Sequence, residues 1–127
     1  MEDRFKFRIS IHNKIKDIYY FYKLPENSNM IFACTKLENS RGHFVPKSQL
    51  MQCTGLKDKN GKLIYEGDVV RAKNTKGDMC NFRVDFDNLY AYFGVTSFLS
   101  ISPLINTNTQ EEFEIIGNIY ENPELLS

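Results

Sequence analysis

Between residues 5 and 11 the chain alternates without a break. Phe5, Phe7, Ile9 and Ile11 fall on one side and Lys6, Arg8 and Ser10 on the other, the period-two pattern of a half-buried strand. His12-Asn13-Lys14 reads as a turn. The aromatic-dense segment Ile15 to Leu24 reads as a second strand, making a hairpin with the first. Pro25 ends it, Glu26 to Asn29 is a loop, Met30 to Thr35 is a further strand, and Lys36 to His43 is a polar loop or lid. Phe44-Val45-Pro46 is extended, because the residue ahead of a proline is biased away from helix.

The densest signals lie in Leu50 to Arg71, LMQCTGLKDKNGKLIYEGDVVR. Two short apolar runs flank Asp58-Lys59-Asn60-Gly61. Asn-Gly is the strongest short-range hairpin signal, since both residues tolerate positive φ. Glu66-Gly67-Asp68 makes a second tight turn, and the β-branched Val69 and Val70 open the next strand. Cys80 to Phe86 alternates cleanly, with Cys80, Phe82, Val84 and Phe86 facing one way. Tyr90 to Leu99 is a strand with a bulge or bend at Gly94, and Ser102-Pro103 breaks the pattern. Asn106 to Gln110 is a polar loop, Glu114 to Tyr120 the last strand, and Asn122-Pro123 starts a short helical turn. The expected fold is mainly β (β-rich α+β). One domain spans 1–127, with an N-terminal β-hairpin region at 1–49 and a small SH3-like barrel at 50–127.

Composition narrows the function classes. Sixteen basic and sixteen acidic residues leave no net charge, which argues against a protein that grips nucleic acid mainly by neutralising phosphates. The charge is uneven, with a mildly basic N-terminal end and an acidic C-terminal one, a split that suits a symmetric assembly. No apolar run approaches the roughly 20 residues needed to cross a bilayer. Nor does the N-terminus offer the apolar core of a secretory signal. Cys34, Cys53 and Cys80 are odd in number and not in metal-knuckle spacing, so a reduced, cytoplasmic setting is expected, with each thiol a small buried hydrophobe.

Candidate chemistry is sparse. His12 and His43 both lie in expected loops, and nothing in the spacing of Cys34 and His43 supports a nucleophile–base pair. Asp58, Glu66 and Asp68 admit a ligand loop, or with Asp85 and Asp87 a metal site. Turn chemistry alone accounts for the first three, so charged, solvated turns on a rigid β scaffold are the preferred reading. No cofactor, metal or catalytic residue is assigned. For partner binding, the aromatic run Tyr19, Tyr20, Phe21 and Tyr22 is dense enough to build an interface. For nucleic acid, the candidates are Lys57, Lys59 and Lys62 with Arg71, Lys73 and Lys76, joined by stacking platforms at Tyr90 and Tyr92.

Two long motifs carry a family resemblance. Leu50-Met51-Gln52, Thr54-Gly55-Leu56-Lys57-Asp58-Lys59-Asn60-Gly61-Lys62 and Ile64-Tyr65-Glu66-Gly67-Asp68-Val69-Val70 form the first. Ile115-Ile116-Gly117-Asn118-Ile119-Tyr120-Glu121-Asn122-Pro123-Glu124-Leu125-Leu126 form the second. In this order they resemble the YopX-like proteins of phages and prophages. Two departures stand out: Ile9, Ser10 and Ile11 follow Lys6-Phe7-Arg8, and Cys53 replaces a common aromatic. The resemblance implies a β-rich fold, a phage or prophage source in bacteria and self-assembly, and it implies no catalytic residues. The expectation is a non-enzymatic accessory protein in the bacterial cytoplasm. It would act as a protein-interaction module and homo-oligomer that engages or inhibits a host protein. The alternative is a small barrel that binds single-stranded nucleic acid.

Overall fold

The alternating N-terminal segment forms strand β1 (Phe7–Ile11), which turns through His12-Asn13 into β2 (Lys14–Asp17). His12 and Asn13 have φ of 50° and 62°, the doubly left-handed turn whose twist matches an antiparallel pair. The computed structural model describes residues 6–23, 29–35, 42–74, 76–87, 92–96, 101–103 and 108–126. Among these, the chain continues through β3 (Tyr20–Lys23), β4 (Met30–Cys34), β5 (Gly42–Pro46), β6 (Leu50–Lys57), β7 (Leu63–Tyr65), β8 (Asp68–Lys73), β9 (Met79–Asp87), β10 (Tyr92–Thr96) and β11 (Ile101–Pro103). The helix α1 (Thr109–Glu112), β12 (Glu114–Asn118) and a closing 3₁₀ turn at Pro123–Leu126 complete it.

The strands make three antiparallel sheets, with orders β2-β1-β6-β7, β3-β4-β5 and β11-β10-β9-β8-β12, the last curled as a half-barrel. The fold is therefore mainly β. Two cores result. Ile9, Ile31, Ala33 and Val45 pack the three-stranded sheet onto the first sheet. Ile64, Val70, Ala72, Val84, Val95 and Phe113 fill the half-barrel. The β6–β7 hairpin serves both cores, since Leu50 packs against the first while Leu56 and Ile64 pack into the second. The stretch Leu50–Arg71 thus joins the molecule's two apolar centres.

Several expectations need correction. The second strand is two strands: β2 stays with β1, while the chain bends at Tyr19 and β3 joins a different sheet. The polar side of β1 is not solvated, because Ser10 is buried and Arg8 pairs inward. The division at residue 50 is crossed, since β6 pairs with β1. In the β6–β7 turn only Gly61 has positive φ, and five residues, 58–62, separate the paired Lys57 and Leu63. Gly94 is no bulge, because the β9–β10 register runs through it unbroken. Pro103 ends β11 at a sheet edge, where a missing N–H costs no ladder bond. Thr109 and Gln110 are helical, and Thr109 is buried. Gly42 and His43, expected in a loop, begin β5. Of the expected loops, 26–28, 36–41 and 106–107 lie outside the described residues, as do the strand end at 97–99, Tyr90 and the Tyr92 side chain.

The hairpin turn is tied to the far end of the chain by Asp58, which is 1% exposed. Its Oδ1 accepts the Asn60 and Lys62 N–H groups, each at 2.9 Å, and its Oδ2 accepts the Ile115 N–H at 2.9 Å. Two further bonds run beside it: Lys59 N–H to the Phe113 carbonyl at 2.9 Å, and Thr109 Oγ1 to the Lys57 carbonyl at 2.8 Å. Burial pushes the Asp58 carboxyl up. The three N–H groups, with the Lys62 charge, more than offset that and hold it below its usual value. The stabilisation is present at neutral pH and is lost as pH falls through that lowered value. Replacing Asp58 with alanine leaves three N–H groups without their acceptor, each costing about 1–3 kcal/mol when buried. Urea unfolding of Asp58→Ala is expected to show a loss of at least about 3 kcal/mol with an unchanged m-value. A loss below about 1 kcal/mol would contradict this role.

Candidate functional site

Glu66-Gly67-Asp68 turns the chain from β7 into β8, and both acids fold back onto backbone. Gly67 has φ of 84° and lies against Met51 and Ile119, so a side chain there would be strained by conformation as well as contact. Asp68 is buried; its Oδ2 accepts the Tyr65 N–H at 2.8 Å and its Oδ1 the Arg8 guanidinium at 2.6 Å. The guanidinium also stacks 3.8 Å from the centre of the Tyr65 ring. Burial pushes the Asp68 carboxyl up, with Arg8 and the Tyr65 N–H opposing. Burial also pushes the Tyr65 phenol up to about 12, with Cys53 and Asp17 adding to it. Glu66 Oε1 accepts the Gln52 N–H at 3.0 Å, in the place a strand carbonyl would take, while the Glu66 N–H donates to the Gln52 carbonyl. The three acids therefore act as backbone acceptors. The scaffold reading holds, but Asp58 and Asp68 are buried rather than solvated.

An open cleft of about 710 Å³ lies where the three sheets approach one another, lined by Phe7, Pro46, Lys47, Leu50, Glu66 and Phe86 among others. Burial, then the neighbouring Asp85 charge, pushes the Glu66 carboxyl up. Tyr120 stands close by, its hydroxyl donating to the Ser48 carbonyl at 3.3 Å. Burial and the Glu66 charge push its phenol up in turn.

Beside the cleft, the outer face of the three-stranded sheet is aromatic. Antiparallel register sets Tyr20 beside Cys34 and Gly42, aligns Tyr22, Phe32 and Phe44, and sets Met30 beside Pro46. The Phe32 and Phe44 rings are 5.0 Å apart, and the Phe32 ring fills the space that a Cβ at residue 42 would need. Phe44 is 65% exposed, Tyr19 64% and Tyr20 38%.

The family model for YopX protein matches residues 6–127. The chain belongs to the YopX family. Among solved structures, protein EF1440 from Enterococcus faecalis matches with a TM-score of 0.61 at 25% identity, over 96% of this chain and 97% of that one. A comparison with curated proteins finds no match. The YopX match begins at residue 6, just ahead of β1, so it spans the region where Ile9, Ser10 and Ile11 depart from the usual motif.

In this YopX-family chain the expected interface residues separate. Tyr19 and Tyr20 reach the surface, Phe21 turns inward to the first core, and the Tyr22 side chain lies outside the described residues. The expected basic group is exposed, with Lys57, Lys59 and Lys62 near the β6–β7 turn and Arg71 on β8. Glu114 stands among them, 3.9 Å from Lys59 Nζ and cross-strand from Arg71. Cys34 and His43 occupy opposite faces of their sheet, because His43 registers with Ala33 and Cys34 with Gly42. Cys34 and Cys53 are buried as expected, Cys80 is only partly buried, and none of the three forms a disulfide. Among the described residues no three His, Cys, Asp or Glu side chains gather to hold a metal, and no helix is long and apolar enough to cross a membrane. Sequence reading missed the cleft and the aromatic pair Phe32–Phe44. The available signal was Phe32 and Phe44, two residues from Met30 and Pro46 at strand spacing.

Replacing Arg8 with leucine strips the buried Asp68 carboxylate of its counter-ion, a change expected to cost about 3–5 kcal/mol at neutral pH. Asp68's pKa is raised already and rises further without Arg8. The variant is therefore closest to the parent in acid and falls behind as pH climbs through that raised value. Urea unfolding of both proteins across pH checks magnitude and sign together.

Proposed function

We propose that this YopX-family chain is a phage or prophage accessory protein of the bacterial cytoplasm that acts by binding, not catalysis. It is a protein-interaction module that self-associates and engages a host protein. The observation that carries this reading is the aromatic outer face of β3-β4-β5, where Phe44 stands about two-thirds exposed beside Phe32 and Tyr20, with the equally exposed Tyr19 at the bend just ahead of β3. Large rings held on a rigid sheet supply contact area at low conformational cost, and aromatic residues are enriched in the centres of protein interfaces. The turn acids favour binding over catalysis in the same way, since Asp58, Glu66 and Asp68 are engaged with backbone N–H groups.

Single-stranded nucleic acid is the second reading, on the exposed Lys57, Lys59, Lys62 and Arg71. Glu114 within that group weakens its field toward phosphate.

Light scattering is expected to find more than one chain per particle. Tyr19→Ser/Phe44→Ser is expected to weaken assembly by about tenfold or more while keeping the β-sheet circular dichroism of the parent. A monomeric parent whose mass is also unchanged by bacterial host lysate would overturn the reading. Salt-dependent binding of short oligonucleotides, lost in Lys57→Glu/Lys59→Glu/Lys62→Glu, would put nucleic acid in its place.

A further inference from the structure

We propose that the cleft between the sheets takes the side chain of a lysine or arginine from the partner polypeptide, with Glu66 as its counter-ion, an assignment that rests on the protein-binding reading above. The cleft's volume of about 710 Å³ is ample for one long side chain. Its walls suit an aliphatic stem with a cationic head. Phe7, Phe86, Leu50 and Pro46 offer apolar and aromatic surface for methylenes, and a ring face attracts a guanidinium or ammonium. Glu66 supplies the charge. One of its oxygens is committed to the Gln52 N–H, and among the described residues the other has no hydrogen bond and the carboxylate no ion pair. The nearby Asp85 adds negative charge and is itself tied to Arg83 at 2.9 Å. A half-buried carboxylate whose environment disfavours its charge gains from an incoming cation. Lys47, the cation in the lining, is exposed.

The cleft is continuous with the aromatic face. Pro46 ends β5 in register with Met30 on that face and also lines the cleft. A polypeptide lying across Phe32 and Phe44 therefore reaches the cleft within a few residues, so that one partner fills both.

Titration of the isotope-labelled full chain with N-acetyl-arginine amide and N-acetyl-lysine amide, followed by amide NMR, tests this. Both are expected to shift the Ser48, Gln52 and Glu66 signals saturably. Neutral N-acetyl-citrulline amide is expected to bind at least about tenfold more weakly. Glu66→Gln keeps an oxygen for the Gln52 N–H and removes only the charge. It is expected to lose at least about tenfold in affinity with the rest of the spectrum unchanged. Phe86→Ala, which takes away an apolar wall, is expected to weaken both cations and spare the spectrum elsewhere. Equal binding of citrulline, absence of saturable shifts at these amides, or a preference for free arginine over its blocked amide would each overturn the proposal. If assembly depends on the aromatic face but the cleft ignores cations, only the cleft assignment falls. If the cleft binds cations in a protein that never associates, the reading on which it rests falls instead.

Discussion

An ionised carboxylate that gathers backbone N–H groups from distant segments is the interaction on which this fold depends. Asp58 does this between the β6–β7 turn and the start of β12; Asp68 accepts one nearby N–H, from Tyr65, and reaches across to β1 through the Arg8 guanidinium. A carboxylate accepts several hydrogen bonds at once, and charge-assisted bonds are stronger than neutral ones. Both acids are almost wholly buried, so water competes little with these bonds and their loss is not compensated by solvent. The two differ in balance. The N–H groups around Asp58 outweigh its burial, whereas Asp68 remains strained by burial despite Arg8. Asp58 is therefore a net fastener, and the Arg8–Asp68 pair fixes register at an energetic cost.

This arrangement explains why one hairpin can serve two cores. Leu50 and Leu56 lie near opposite ends of β6 and pack into different apolar centres. The strand must hold its register along its length for both to fit. Asp58 pins one end of the hairpin, and Glu66 and Asp68 pin the other. With that frame fixed, the three-stranded sheet presents its outer rings on a rigid support, and the cleft opens where the sheets approach.

Much of the fold was legible from local signals. Period-two alternation located β1 and β9, and the turn residues located the β6–β7 hairpin and the Gly67 turn. What local pattern does not carry is pairing at long range. The β1–β6 and β8–β12 ladders join residues far apart in sequence, so local pattern suggests a division at residue 50 that the pairing of β6 with β1 crosses. The switch from β2 to β3 carries no Gly or Pro at Asp17-Ile18-Tyr19, and so an aromatic run that reads as one strand is shared between two sheets. A turn acid also reads alike whether solvated or buried. The burial of Asp68 was hidden because Arg8, its partner, sits at an apparently outward position of β1. Of the candidate interface, Tyr19 and Tyr20 were legible as part of an aromatic run. Phe44 and Glu66 gained their roles only when separate strands were set side by side.

The central claim, that buried carboxylates hold the two cores in one register, is tested most directly by native-state hydrogen exchange at the amides they accept. The account predicts that Lys62, Tyr65 and Ile115 exchange only through global unfolding, with the slowest amides of β8 and β9. Fast exchange at Lys62 and Ile115 while those strands stay protected would contradict it, since the turn would then open without disturbing either core.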